Sequence, residues 1–161
     1  MIPSSLVFIA RKHVFAAMHP RGLTKGHVIV CPVRPVAHFA ELTELETLEV
    51  FVCSQQITKA FEDRLKFKSF TILIQDGVAA AQTLPRQPPQ MMSRAGAASS
   101  RDDLHSAVSD GMSLNLHMHI IPIAESGSRQ SGPNKLKLED APERDPAALE
   151  NEAAQLRSLF L

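Results

Sequence analysis

Apolar and polar residues alternate most clearly in one stretch near the end of the chain, from Leu114 to Pro122. A β-strand directs successive side chains to opposite faces, so the alternation predicts a strand with Asn115, His117 and His119 on one face. The two imidazoles are expected to lie about 7 Å apart along that face. The opposite face carries three apolar side chains that can pack into a core: Leu116, Met118 and Ile120. Pro122 lacks a backbone donor and is therefore expected to mark the strand's end.

Four further strands are predicted from runs that are rich in β-branched and aromatic residues. They lie at residues 5–9, 13–18, 27–33 and 68–75. The run at 27–33 is almost continuously apolar, which is typical of a central strand that is buried on both faces.

Two helices are predicted from their start signals. Thr43 and Glu46 form a capping-box pattern, which predicts a helix from about Thr43 to about Lys66. Its residues at helical spacing form the expected buried stripe: Val50, Cys53, Ile57, Ala60 and Phe61. Asp145 followed by Pro146 predicts the start of a C-terminal helix that continues to the end of the chain.

The length of 161 residues is that of a single domain. Two segments depart from the periodic pattern. Residues 84–112 combine prolines with small and polar residues and are predicted to form a flexible insertion. Residues 124–143 are polar and are predicted to form a second loop.

Composition narrows the classes of partner. Lys+Arg and Asp+Glu both number 17, so the formal net charge is zero and no basic field points to nucleic acid or to a membrane surface. Neither a signal peptide nor a membrane span is recognisable. Cys31 and Cys53 lie in unlike contexts and are expected to be buried thiols rather than a disulfide. A cytoplasmic location is therefore expected, with a nuclear one also open.

Three hypotheses fit the His-x-His strand when it is considered alone. It could be an ordinary half-exposed strand, since short motifs often match by chance. It could supply two metal ligands, although a closed zinc site needs four ligands and no CxxC or HExxH motif supplies the others. It could also carry a histidine nucleophile that attacks phosphorus while neighbouring polar groups hold the phosphate oxygens.

Three blocks of sequence together resemble the histidine triad superfamily, most of all its fragile-histidine-triad branch of dinucleoside triphosphate hydrolases. The blocks are Gly26–Val36, Gln75–Gly77 with Gln82 and Thr83, and Leu116–Pro122. The resemblance implies an α+β fold with a mainly antiparallel, five-stranded sheet, a long helix and a C-terminal helix. It also implies a homodimer, and a nucleotide substrate bound as a Mg²⁺ or Mn²⁺ complex with no tightly bound cofactor.

The same resemblance assigns roles to individual residues. His117 takes the place of the nucleophile that forms a nucleotidyl-histidine, and the main-chain carbonyl of Asn115 takes the place of its orienting acceptor. His27 takes the place of an auxiliary histidine that contacts the first signature position, which is Asn115 here. Binding of phosphate or substrate is implied for five residues: Gln75, Gln82, Thr83, His119 and His19. No residue is assigned to a metal.

Two positions depart from the family pattern. Asn115 stands where the family has the first histidine of its signature, and His19 stands where the family has an asparagine that contacts ribose. The expected function is hydrolysis of a dinucleoside polyphosphate such as diadenosine triphosphate, to AMP and ADP. The alternative is a nucleotide-binding signalling or sensor protein with little turnover, because asparagine cannot carry a proton as imidazolium does. A third hypothesis is metal binding through His117 and His119.

Overall fold

The structure is a computed structural model, and it describes residues 2–80, 82, 115–123, 141 and 143–160. Thr83, the predicted insertion at 84–112 and nearly all of the predicted loop at 124–143 lie outside the described residues. Within the described part of the chain, no helix is long and apolar enough to span a membrane.

Five antiparallel strands form one sheet in the order β1-β2-β3-β5-β4. Their bounds are β1 Val7–Ala10, β2 Val14–Met18, β3 Val28–Pro32, β4 Ser69–Ile74 and β5 Met118–Ile123. All four strands expected upstream of the His-x-His stretch are present, with ends that differ from the prediction by one or two residues. The predicted α+β fold with a mainly antiparallel sheet is confirmed.

β3 occupies the centre of the sheet, and every one of its residues is buried. The long helix packs against β3, and β2 and β5 pair with its two edges. The central position predicted from its apolar run is therefore confirmed.

The long helix α1 spans Glu44–Leu65 and starts with the predicted capping box. The Thr43 hydroxyl accepts from the Glu46 backbone N–H, and the Glu46 carboxylate accepts from the Thr43 backbone N–H. α1 buries Val50, Cys53, Ile57 and Phe61 as predicted. Ala60 was expected in that stripe but is only half-buried, since the buried face is completed by Glu46 and Ser54.

The C-terminal helix α2 spans Pro146–Arg157, with Asp145 accepting hydrogen bonds from two backbone N–H groups at its start. It packs against β1 and β2, and its buried residues Leu149, Ala153 and Leu156 join the same apolar core as those of α1. Cys31 and Cys53 are both buried and free, as predicted.

The His-x-His strand differs from the prediction at both ends. β5 begins at Met118, because Asn115 and Leu116 bond to Val36 of a neighbouring loop instead of to a strand. Pro122 does not end the strand but lies within it, opposite Phe70 of β4. β3 pairs with β5 only over residues 118–120 of β5. On the side of β5 that faces β3, no strand hydrogen bond therefore needs the N–H that Pro122 lacks.

The Glu46 carboxylate is expected to make the stability of this fold depend on pH. Arg34, which donates to both of its carboxylate oxygens, lowers the pKa of Glu46 from 4.5 to about 2. Because this pKa is lower in the folded state, the stabilisation is present above pH 4.5 and is lost as the pH falls toward 2. Urea denaturation at pH 6 and pH 3.5 should show a smaller pH effect on the unfolding free energy of Glu46→Gln than on that of wild type. An equal pH effect in both proteins would contradict this role.

Candidate active site

His117 lies just before β5 with its ring almost completely buried. Its Nδ1 is 3.0 Å from the main-chain oxygen of Asn115, two residues earlier. A carbonyl can only accept, so Nδ1 must carry the proton and Nε2 must carry the lone pair. Nε2 is buried and has no hydrogen-bond partner in the described structure. His117 therefore presents a bare, neutral nucleophilic nitrogen.

His119, on β5, has the opposite tautomer because of a chain of hydrogen bonds that starts at the backbone. The Leu23 N–H lies 3.1 Å from Nδ1 of His27, which must accept and therefore carry its proton on Nε2. His27 Nε2 lies 3.1 Å from His119 Nδ1 and donates to it. The remaining proton of His119 is then on Nε2, which is buried and unpartnered. We call this arrangement the Leu23–His27–His119 relay, and it presents an unused N–H donor beside His117.

The two imidazoles of the signature stretch are closer than an extended strand would place them. The ring centroids of His117 and His119 are 4.4 Å apart in an edge-on arrangement, against the expected spacing of about 7 Å. His117 lies one residue before the first residue of β5. The closeness of the rings holds a lone pair and an N–H donor side by side.

His19 joins the cluster from the end of β2. Its Nδ1 accepts from the Arg21 N–H at 3.2 Å, and its ring stacks on that of His27 with centroids 4.5 Å apart. His19 is also 5.3 Å from His119, measured between ring centroids. The structure thus brings His19 and the nearby His27 together with His117 and His119, which are far from both in sequence.

Burial controls the charge of all four rings. It lowers the pKa of His117 and of His19 to about 4, and that of His27 to about 2. The pKa of His119 is well below its ordinary value for the same reason, with a further lowering from the neighbouring histidines. The cluster is therefore neutral at physiological pH.

The loop that supplies the Arg21 and Leu23 donors is held by α2. Glu152 pairs with Arg144 and lies 3.5 Å from the Gly26 N–H. Gly26 turns the chain into β3 with a positive φ of 77°. Sequence reasoning missed these supports, because backbone donors and a pair formed by a distant helix leave no motif.

Asn115 and His27 make their side-chain hydrogen bonds to different partners. His27 bonds to His119, whereas the side-chain oxygen of Asn115 accepts from the Val36 N–H at 3.1 Å. The hydrogen bond of His27 is thus made to the third signature position, His119, rather than to the first. The amide of Asn115 reaches the backbone of the 34–37 segment instead.

The two glutamines are placed differently. The Gln82 side chain is buried and bonds at both ends to backbone, accepting from Gly77 N–H at 2.7 Å and donating to Ala37 O at 3.1 Å. Gln75 follows β4, is half-buried, and makes no hydrogen bond with any described residue. The Gln75 amide thus has no partner among the described residues, whereas Gln82 joins two loops.

A possible metal site was also considered at the histidine cluster. One ring nitrogen from each of His19, His27 and His119 lies within 4.8 Å of the others. His19 and His27 both direct the Nδ1 lone pair at a backbone N–H, which leaves a proton on each Nε2. A metal bound at these Nε2 atoms would have to displace both protons and leave both backbone donors unmatched. The donor set does not fit a resident metal.

Comparison with known proteins identifies the family of the chain. The HIT domain family model matches residues 2–86, which is more than half of the chain. The Arabidopsis thaliana protein named bifunctional bis(5'-adenosyl)-triphosphatase/adenylylsulfatase FHIT is 31% identical over 156 residues, covering 96% of this chain and 77% of that protein. The chain belongs to the HIT family. The resemblance seen in the sequence is confirmed.

Other HIT relatives agree in fold. The Caenorhabditis elegans nitrilase and fragile histidine triad fusion protein NitFhit is 34% identical over 84 residues, which is 52% of this chain but only 19% of the fusion protein. The crystal structure of Plasmodium falciparum diadenosine triphosphate hydrolase in complex with Cyclomarin A matches with a TM-score of 0.68 at 19% identity, covering 99% of this chain and 78% of that one. This structural similarity supports the HIT fold.

The relay can be tested by removing its donor. His27→Phe keeps a flat ring against His19 but cannot donate to His119, so we expect His119 to populate both tautomers while His117 keeps its proton on Nδ1. Ring ¹⁵N chemical shifts at pH 7, measured for wild type and the variant, report the tautomers directly. If His119 holds the same single tautomer in both proteins, the relay does not set it.

Proposed function

We propose that this HIT protein hydrolyses dinucleoside polyphosphates of the diadenosine triphosphate class, giving AMP and ADP through a nucleotidyl intermediate on His117. The observation that carries the proposal is the buried, unpartnered Nε2 lone pair of His117, whose tautomer is fixed by the Asn115 carbonyl. Relatives named bis(5'-adenosyl)-triphosphatase in Arabidopsis thaliana and Dictyostelium discoideum support the substrate class.

The first step forms a bond between His117 Nε2 and the α-phosphorus of the substrate. The bond from that phosphorus to the bridging oxygen breaks, and ADP leaves with the electron pair. A neutral imidazole needs no deprotonation before it attacks. The positive charge that develops on the ring is stabilised through Nδ1–H by the Asn115 carbonyl, 3.0 Å away. Water then attacks the same phosphorus, the P–N bond breaks, and AMP leaves.

His119 is placed to stabilise the phosphoryl oxygens during both steps. Its Nε2–H has no partner among the described residues and lies on the ring next to the nucleophile. A fixed donor in a buried site stabilises developing negative charge without reorganising solvent. We assign phosphate contacts also to Gln75 and Thr83 and a substrate contact to His19. Gln82 is also assigned to phosphate binding. We assign it an indirect part, in which its side chain holds together the loops that contain Ala37 and Gly77.

The triphosphate bridge is expected to arrive with Mg²⁺ or Mn²⁺, which would neutralise part of its charge. The protein itself is expected to hold no tightly bound cofactor. A cytoplasmic location, with a nuclear one also open, stays a prediction.

The alternative function is a nucleotide sensor with little turnover. Asn115 supports it, because this side chain cannot store a proton at the position where the family has histidine. Calorimetry with diadenosine triphosphate, combined with measurement of AMP release, separates the two functions. Binding with no AMP after hours of incubation would favour the sensor.

Removal of the nucleophile should abolish turnover. His117→Ala is expected to lower kcat at least about 10³-fold, because the covalent step has no substitute nitrogen in the same orientation. The matched control is His13→Ala, which removes a histidine at the opposite end of β2 from His19. AMP release measured by chromatography should stay near the wild-type level in the control. Equal rates in wild type and His117→Ala would contradict the mechanism.

We also propose that the protein acts as a homodimer. β4 is an edge strand on which Ile72 is 50% exposed, and one face of α1 exposes Leu45, Leu48 and Phe51 at 62%, 61% and 49%. Exposed apolar side chains on neighbouring turns of a helix form a patch of the kind that mediates protein association. A second copy of the chain is the partner that the family resemblance implies.

Charge placed in this patch should separate the subunits. Leu48→Glu with Phe51→Glu is expected to halve the mass measured by light scattering after size exclusion. Leu65→Glu is the control, because Leu65 is also exposed but lies at the other end of α1, about 21 Å along the helix from Phe51. A wild-type protein that is monomeric at micromolar concentration would contradict the proposal.

A further inference from the structure

Asn115 is fastened to one residue of the neighbouring loop by two hydrogen bonds. Its side-chain oxygen accepts from the Val36 N–H at 3.1 Å, and the next residue, Leu116, donates its N–H to the Val36 oxygen at 2.7 Å. Asn115 is only 6% exposed, and Val36 is fully buried. Two adjacent residues are thus held by the donor and the acceptor of a single buried residue.

The main-chain oxygen of Asn115 is the acceptor that orients His117. β5 begins only at Met118, so no strand ladder holds this carbonyl. The two bonds to Val36 are the contacts in the described structure that fix the backbone on either side of it. A shift at Val36 would therefore move the acceptor of His117.

We propose that the side chain of Asn115 is a positioning residue for the nucleophile, acting through Val36 and its own carbonyl. The proposal rests on the hydrolase function given above. The amide oxygen keeps the Asn115 carbonyl where it selects the Nδ1–H tautomer of His117. Asparagine at this position thus retains a hydrogen-bond acceptor. Its presence does not by itself prevent nucleophilic attack by His117.

Covalent geometry explains why asparagine serves here. The side-chain oxygen of asparagine and Nδ1 of histidine are both attached to Cγ, so each can accept from the same N–H. Leucine has nearly the same size and branching as asparagine but has no acceptor. Replacement by leucine leaves the buried Val36 N–H unsatisfied, whereas replacement by histidine does not.

The experiment compares Asn115→Leu, Asn115→His and the control Asn151→Leu, which makes the same change at an exposed site on α2. Asn115→Leu is expected to lower kcat for diadenosine triphosphate about 10²-fold, since a small misplacement of a reacting group costs about that much. KM should change much less. Asn115→His should recover most of the kcat lost by Asn115→Leu, and Asn151→Leu should match wild type.

A second measurement needs no turnover. Ring ¹⁵N shifts should show His117 as the Nδ1–H tautomer in wild type and in Asn115→His, and as a mixture of tautomers in Asn115→Leu. If wild type proves inactive, the hydrolase function fails but this measurement still tests the positioning role. If Asn115→Leu does not fold by circular dichroism, Asn115→Ala makes the same test with a smaller side chain. Wild-type kcat and a single His117 tautomer in the acceptor-free variant would overturn the proposal.

Discussion

Burial of neutral imidazole rings is the physical constraint on which the site depends. Burying a charged ring costs free energy, so a buried imidazole stays neutral. A neutral ring has one donor and one acceptor nitrogen, and its hydrogen-bond partners decide which is which. Backbone groups make that choice: the Asn115 carbonyl for His117, and the Leu23 N–H for His27 and through it for His119. The result is a lone pair beside an N–H donor, and neither has a partner in the part of the chain that the structure describes.

This constraint explains why the fold places the cluster where it does. The rings meet where β2 ends, β3 begins and β5 begins, so their backbone partners come from loops and from irregular chain. Backbone groups inside a regular sheet are already paired with each other and could not orient side chains. The loops are in turn fastened by side chains such as Gln82 and Glu152, which join segments that are distant in sequence.

The sequence predicted the elements well because local signals define them. The capping box at Thr43 and the apolar run of β3 needed no knowledge of distant contacts. The site could be predicted only in part. The motif indicates His117 and its carbonyl, but the hydrogen bond from His27 to His119 depends on tertiary packing, which no local motif reports. The stacking of His19 on His27 likewise follows from how β2 and β3 pair, and no local pattern reports it.

The central claim is that His117 attacks as a neutral, buried imidazole. The most direct test is the pH dependence of the rate at which labelled diadenosine triphosphate forms the nucleotidyl-enzyme, measured by rapid quench in single turnovers. Because burial lowers the pKa of His117 to about 4, the ring is neutral above that pH and becomes protonated as the pH falls through it. The account predicts a rate that is constant from pH 7.5 to about 5.5 and falls near pH 4. A fall centred near pH 6.5, the ordinary value for histidine, would contradict it.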